Sequence, residues 1–190
     1  MSVGFYFDMT RCTGCRTCQI SCKDKNRLDV GTIYRNAKTY SVGLFPSLSA
    51  YSFSASCNHC GMPACIAACT ADAIYRAKDG TVIISQEHCV FDGACITACP
   101  YEVPQITAGG AAGKCDGCYA IREAGSETAC VASCPNRALL FGEYEDLKAT
   151  FGADSVSEIA LLPPANKTAP SLLIKAKDAA KDFGYIEINW

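Results

Sequence analysis

The spacing of the cysteines constrains this chain more than any other feature. Cys12, Cys15, Cys18 and Cys22 follow the pattern C-x2-C-x2-C-x3-C. Cys57, Cys60, Cys65 and Cys69 follow C-x2-C-x4-C-x3-C, and Cys115, Cys118, Cys130 and Cys134 follow C-x2-C-x11-C-x3-C. Cys89, Cys95 and Cys99 repeat the first pattern with its second position held by Asp92. The 15 cysteines plus Asp92 therefore make four sets of four. A chain punctuated in this way has little room for long helices or broad sheets. It has to fold around whatever the thiols hold.

Three chemistries use thiols at such density. A disulfide framework is awkward with an odd count, and cysteines three apart on a tight turn rarely reach bridging geometry. The N-terminal MSVGFYFDMTRC also lacks a basic segment leading into an apolar one, so an oxidising compartment is not indicated. Zinc takes four thiolates, and two separated C-x2-C pairs suit it. Three close cysteines with a fourth farther on, as in CTGCRTCQISC, form instead the bacterial ferredoxin run. There the first three thiolates take three irons of one cube, and the fourth reaches the neighbouring cube. Iron–sulfur clusters are the expectation, with zinc the lesser alternative. Cys99-Pro100 and Cys134-Pro135 match the proline that ends that run, while Lys23 and Thr70 replace it after Cys22 and Cys69.

The runs also repeat as a unit. Residues 12–22 and 89–99 share one spacing once Asp92 is counted, and the second and fourth runs end alike at Ala73-Ile74 and Ala138-Leu139. Two β-rich stretches around Lys78-Asp79-Gly80 predict a hairpin between the second and third runs. Residues 57–99 thus resemble a complete two-cluster ferredoxin. Its ligand sets are Cys57, Cys60, Cys65 with Cys99, and Cys89, Asp92, Cys95 with Cys69. The outer runs then pair likewise: Cys12, Cys15, Cys18 with Cys134, and Cys115, Cys118, Cys130 with Cys22. The expected fold class is α+β: two ferredoxin-like lobes related by internal duplication, stabilised by clusters, with short antiparallel hairpins and short helices. Residues 49–102 form one lobe, inserted into another made of 1–48 and 103–150. Strands are predicted at 3–7 and 138–141, and a short helix at 143–151.

Composition excludes several classes. Seventeen basic against 19 acidic residues give a net charge of −2, without the basic excess of a nucleic-acid binder. No apolar run approaches the roughly 20 residues of a membrane helix. No Gly-rich dinucleotide loop or nucleophile motif stands out. Residues 151–190 form a C-terminal tail whose composition shifts from Leu161. LLPPANKTAPSLLIKAK carries prolines and an apolar stretch at 172–174 that looks exposed. It reads either as a tail packing on its own lobes or as a partner-docking segment over 161–177, and the second is the expectation.

DMTRCTGCRTCQISCKD, SCNHCGMPAC, the GKCDGCY segment and ACVASCPNRALLFG together resemble the four-cluster electron-transfer subunits of bis-molybdopterin oxidoreductases, the dimethyl-sulfoxide-reductase family. The resemblance spans about residues 3–145, with a weaker echo in TAPSLLIKA. It implies a relay of electrons to or from a large molybdopterin catalytic subunit, with no catalysis in this chain. It also implies a membrane anchor or another electron donor as a third component, and places the third-run cluster far from the molybdenum. The alternative is a free soluble polyferredoxin, although a net charge of −2 is weak for steering a shuttle. A redox sensor built on the Asp92 site is a third class. The expected cofactors are three 4Fe–4S clusters and a fourth that is either an Asp92-ligated 4Fe–4S or a 3Fe–4S, since a carboxylate is a harder, looser donor for iron than thiolate. His59 and His88, next to ligands, are each expected to be ordinary half-exposed residues. With no export signal read, the expected location is cytoplasmic, or exported folded with a signal-bearing partner.

Overall fold

A computed structural model describes residues 2–188. Its elements are short, as the cysteine runs require. In order they are β1 (Val3–Asp8), α1 (Thr17–Lys25), β2 (Asn36–Val42), β3 (Ser49–Ala55), α2 (Ala64–Ala67), β4 (Ile74–Arg76), β5 (Val82–Ile84), α3 (Ala94–Ala98), β6 (Gln105–Ile106), β7 (Ala112–Gly113), α4 (Tyr119–Glu123), α5 (Ala129–Ala132), β8 (Leu139–Glu143), α6 (Tyr144–Phe151), β9 (Leu172–Lys175) and β10 (Tyr185–Ile188). The α+β class is thus realised in small sheets and short helices. Among the described residues no helix is long and apolar enough to cross a membrane.

The predicted strands at both ends of the outer cysteine runs meet. β1, an aromatic run buried along its whole length, lies at the centre of a three-stranded sheet. β8 pairs with it antiparallel and β9 parallel. The pleat sends alternate side chains to opposite faces. Phe5 and Phe7 point inward, where Phe5 meets Phe141 edge-on at 4.6 Å, while Tyr6 stacks on Phe151 of α6 at 4.2 Å. The predicted helix at 143–151 is α6, and the predicted hairpin around Lys78-Asp79-Gly80 is β4–β5.

The C-terminal segment departs from expectation. Leu172, Leu173 and Ile174 are buried as β9, with Ile174 fully enclosed, because β1 still has an open edge after β8 has paired. Their apolar character therefore serves the protein's own sheet, and the exposed look of 172–174 is corrected. β10 completes a second sheet, in the order β10–β2–β3. β2 and β3 pair continuously from Asn36–Ala55 to Val42–Ser49, so the division at 48/49 falls inside a hairpin.

Candidate iron–sulfur sites

Each cysteine run begins with a loop whose backbone turns back on itself. The residue two places after the first cysteine has positive φ in all four runs: Gly14 (70°), His59 (44°), Phe91 (64°) and Gly117 (61°). Side chains other than glycine reach this region at a cost of about 1 kcal/mol or more, so recurrence in four loops marks one repeated wrap. A β-carbon on Gly14 would come within 2.6 Å of the Ser52 hydroxyl, so here the turn needs glycine for space as well. The following position is equally telling. Arg16 after Cys15 and Gly93 after Asp92 are both left-handed. Asp92 therefore sits in the same backbone setting as Cys15.

The thiols ring voids. Cys12, Cys15, Cys18 and Cys134 line one of about 360 Å³, counted with its open mouth. Cys57, Cys60, Cys65 and Cys99 line one of about 380 Å³. Cys69, Cys89, Asp92 and Cys95 line one of about 310 Å³. Cys22, Cys115, Cys118 and Cys130 are all buried, and burial together with mutual repulsion pushes the Cys115 thiol well up. All fifteen cysteines are free. Among the described residues no three His, Cys, Asp or Glu side chains converge on a single-ion site. A ring around a void suits a cube, whose four ligands go to four different irons.

Donors approach the sulfurs from the surrounding loops. The Gly117 amide lies 3.4 Å from Cys115 Sγ and the Ala138 amide 3.3 Å from Cys134 Sγ. The Thr17 hydroxyl donates to Cys15 Sγ at 3.3 Å and is the leading reason that this exposed thiol is held below its ordinary pKa. Elsewhere burial dominates and pushes Cys22, Cys60 and Cys65 up to about 11. Cys57 is the exception. Burial opposes its ionisation, but Lys114 and His59 beside it bring the thiol down to about 5. Neutral buried thiols must lose protons to bind metal, so loading these rings releases protons.

Asp92 lines the ring that the first run's spacing assigns to it, and it is exposed. One carboxylate oxygen accepts the Ala94 amide at 3.0 Å and the other accepts the Thr70 hydroxyl at 2.5 Å. These two bonds hold its carboxyl below the usual carboxylate range. Each oxygen keeps a further lone pair for a metal. Thr70, which in the sequence looks only like a missing proline, thus ties the end of the second run to the odd position of the third.

Three buried residues have surroundings that the sequence did not reveal. His59 is not half-exposed but fully buried. Its Nδ1 accepts the Val82 amide at 3.1 Å and its Nε2 has no partner, facing the Gly117 loop. His88, by contrast, is exposed. Lys114 is buried beside Cys115, with Nζ donating to the carbonyls of Val82 and Cys115. Arg35 is 1 % exposed.

Residues 48–144 match the family model of a 4Fe-4S dicluster domain. The sequence is 39 % identical to an anaerobic dimethyl sulfoxide reductase chain of Haemophilus influenzae, over 95 % of this protein and 92 % of that one. The protein belongs to this iron–sulfur family. The corresponding anaerobic dimethyl sulfoxide reductase chain of Escherichia coli is 37 % identical over the same shares. A tetrathionate reductase subunit of Salmonella typhimurium is 32 % identical over 91 % of this protein and 72 % of its own length. As a member, the protein is a non-catalytic electron-transfer subunit holding iron–sulfur clusters.

Proposed function

We propose that the chain conducts electrons through four clusters in line, between an external donor or acceptor and a molybdopterin catalytic subunit. The observation that carries this reading is the gathering of twelve of the sixteen side chains around three voids, with Cys22, Cys115, Cys118 and Cys130 buried between them. Cys130 of the second ring is close enough to disfavour ionisation of Cys18 in the first, and Cys57 of the third is close enough to disfavour that of Cys115 in the second. Cys65 and Cys95, of the third and fourth, share one small core with Ile74, Val82 and Ala112. The second ring is wholly buried, while the end rings reach solvent at Cys15 and Asp92. That is the exposure a conductor needs: insulated in the middle and accessible at its termini.

The clusters supply the redox chemistry, and the protein supplies spacing, insulation and hydrogen bonds. The first three rings are 4Fe–4S sites, and the fourth completes its cube with Asp92. The lobes are run two with run three and run one with run four, the join following Ala55. The relatives are each named as one component of a reductase, which supports a larger partner. Purification without oxygen should give about sixteen irons per chain, four per cube, together with a stoichiometric molybdenum-containing polypeptide. A count near eight, or zinc in place of iron, overturns the four-cluster reading. Isolation as a free chain at full cluster content overturns the fixed partner.

A further inference from the structure

Arg35 is enclosed between β1 and the β2–β3 hairpin, and its guanidinium is only partly satisfied. Nη1 donates to the Ser54 carbonyl at 3.0 Å and to Ser54 Oγ at 3.2 Å. Nε and Nη2 are buried with no protein partner. The planar face lies 4.3 Å from the centre of the Phe5 ring. Among the described residues none of the four ion pairs includes Arg35. A buried charge left unpaired is costly, and a guanidinium cannot escape by losing its proton. Something anionic must therefore stand opposite.

The groups that do are thiols from two rings. Cys18, Cys115 and Cys130 are buried in one cluster with Phe5, over whose ring the guanidinium lies, and Cys130, Cys115, Cys18 and Cys22 outweigh burial in keeping Arg35 charged. Cys18 belongs to the first ring, and Cys22, Cys115 and Cys130 to the second. Ser54 makes the link to the first ring direct. Its Oγ accepts from Arg35 and lies 3.3 Å from Cys18 Sγ, so its own hydrogen is free to point at the sulfur. The buried Lys114 is different, because its ammonium is occupied by two backbone carbonyls.

We propose that Arg35 is the shared counter-ion of the first and second clusters and raises the reduction potential of both. The inference rests on the four-cluster reading. Each reduction adds one negative charge to a thiolate-bound cluster. A fixed cation in a low-dielectric interior favours the reduced state of whichever cluster gains that charge. One cation between two sites also favours whichever electron arrives first over the second. Arg35 is a positioning residue in this sense, acting on potentials without touching substrate.

The test is a redox titration of the loaded, anaerobic protein followed by paramagnetic resonance, comparing wild type with Arg35→Gln and Arg35→Lys. Iron content is measured on each sample, so failure of the four-cluster reading shows as low iron in the wild type itself. Arg35→Gln should make two of the four clusters harder to reduce by at least about tenfold, which is about 59 mV for a one-electron couple. The other two should keep their potentials, and Arg35→Lys should restore the shifted pair to within about threefold of wild type. Unchanged potentials in loaded Arg35→Gln overturn the proposal. So do equal shifts in all four clusters, which would mean general loosening. If Arg35→Gln does not load, Arg35→Lys decides alone: retained potentials support the charge role, and a tenfold fall in two clusters refutes it.

Discussion

Asp92 separates what a side chain contributes from what the backbone dictates. The left-handed residues on either side of it match those around Cys15, so a thiolate at 92 needs no new backbone path. Asp92→Cys should bind the fourth iron more firmly, sulfur being the softer donor, and should slow cluster loss in air. Asp92→Ala should leave a site that stays 3Fe–4S even with excess ferrous iron. Paramagnetic resonance of the oxidised proteins distinguishes them, because an oxidised three-iron cluster is paramagnetic and an oxidised low-potential cube is silent. Identical spectra and air stability in all three proteins would place Asp92 outside the coordination shell, as a loop cap bonded only to Thr70 and Ala94. The position of Asp92 was legible because the run around it is periodic. Arg35, Lys114 and His59 were not legible, because their significance lies in what surrounds them. Nothing in the stretch around Arg35 signals that its neighbours in space are Phe5, Ser54 and cysteines of two different runs.

At the scale of elements, one clamp ties the second and third runs to the fourth. Arg122, at the end of α4, meets Asp79 at 2.7 Å and donates to the Thr81 hydroxyl at 2.8 Å and the Gly117 carbonyl at 2.7 Å, with Phe141 beneath it at 4.7 Å. The β4–β5 turn is thereby fastened to the loop carrying Cys115 and Cys118. Asp79 is partly buried, which opposes its charge. The Thr81 amide and Arg122 outweigh that and hold its carboxyl below the usual range. A depressed folded pKa means stability that is present above the unfolded value, about 3.9, and is lost as pH falls through the folded one. Asp79→Asn should therefore cost about 1 kcal/mol in anaerobic urea unfolding, and by the same amount at pH 7 as at pH 5.5. A difference that changed between those two pH values would belong to another group. The turn itself was readable from Lys78-Asp79-Gly80, but its partner 43 residues away was not. The same reason hid β9. Short apolar segments look alike whether they wait for a partner or fill an edge of their own sheet, and only the pairing of Phe5 with Leu172 and Phe7 with Ile174 decides it. Ile174→Ala should cost about 3 kcal/mol, as large-to-small changes at enclosed sites do. Removing 161–177 should accordingly unfold the β1 sheet rather than merely weaken a partner's grip. A truncated protein with native cluster content and melting behaviour would contradict that.

At the scale of the whole molecule, the cysteines belong to the core as much as to the sites. Cys18, Cys57, Cys115, Cys130 and Cys134 are buried in the same cluster as Phe5, Phe7, Leu139 and Ile174. Among them Cys18 and Cys134 line the void of the first ring and Cys57 that of the third. Metal removal should thus abolish the fold as well as conduction. The order of loss should follow exposure. Mild air oxidation should first strip the ring containing Asp92, whose carboxylate lies at the surface, and should lower the melting temperature by only a few degrees. Exhaustive oxidation with a chelator should reach the buried ring of Cys22, Cys115, Cys118 and Cys130 last, after the ring that opens at Cys15, and cooperative melting followed by circular dichroism should then vanish. An apoprotein that melts sharply within a few degrees of the loaded form would mean that the thiol rings are held open by the sheets alone, with the clusters as guests in a finished scaffold.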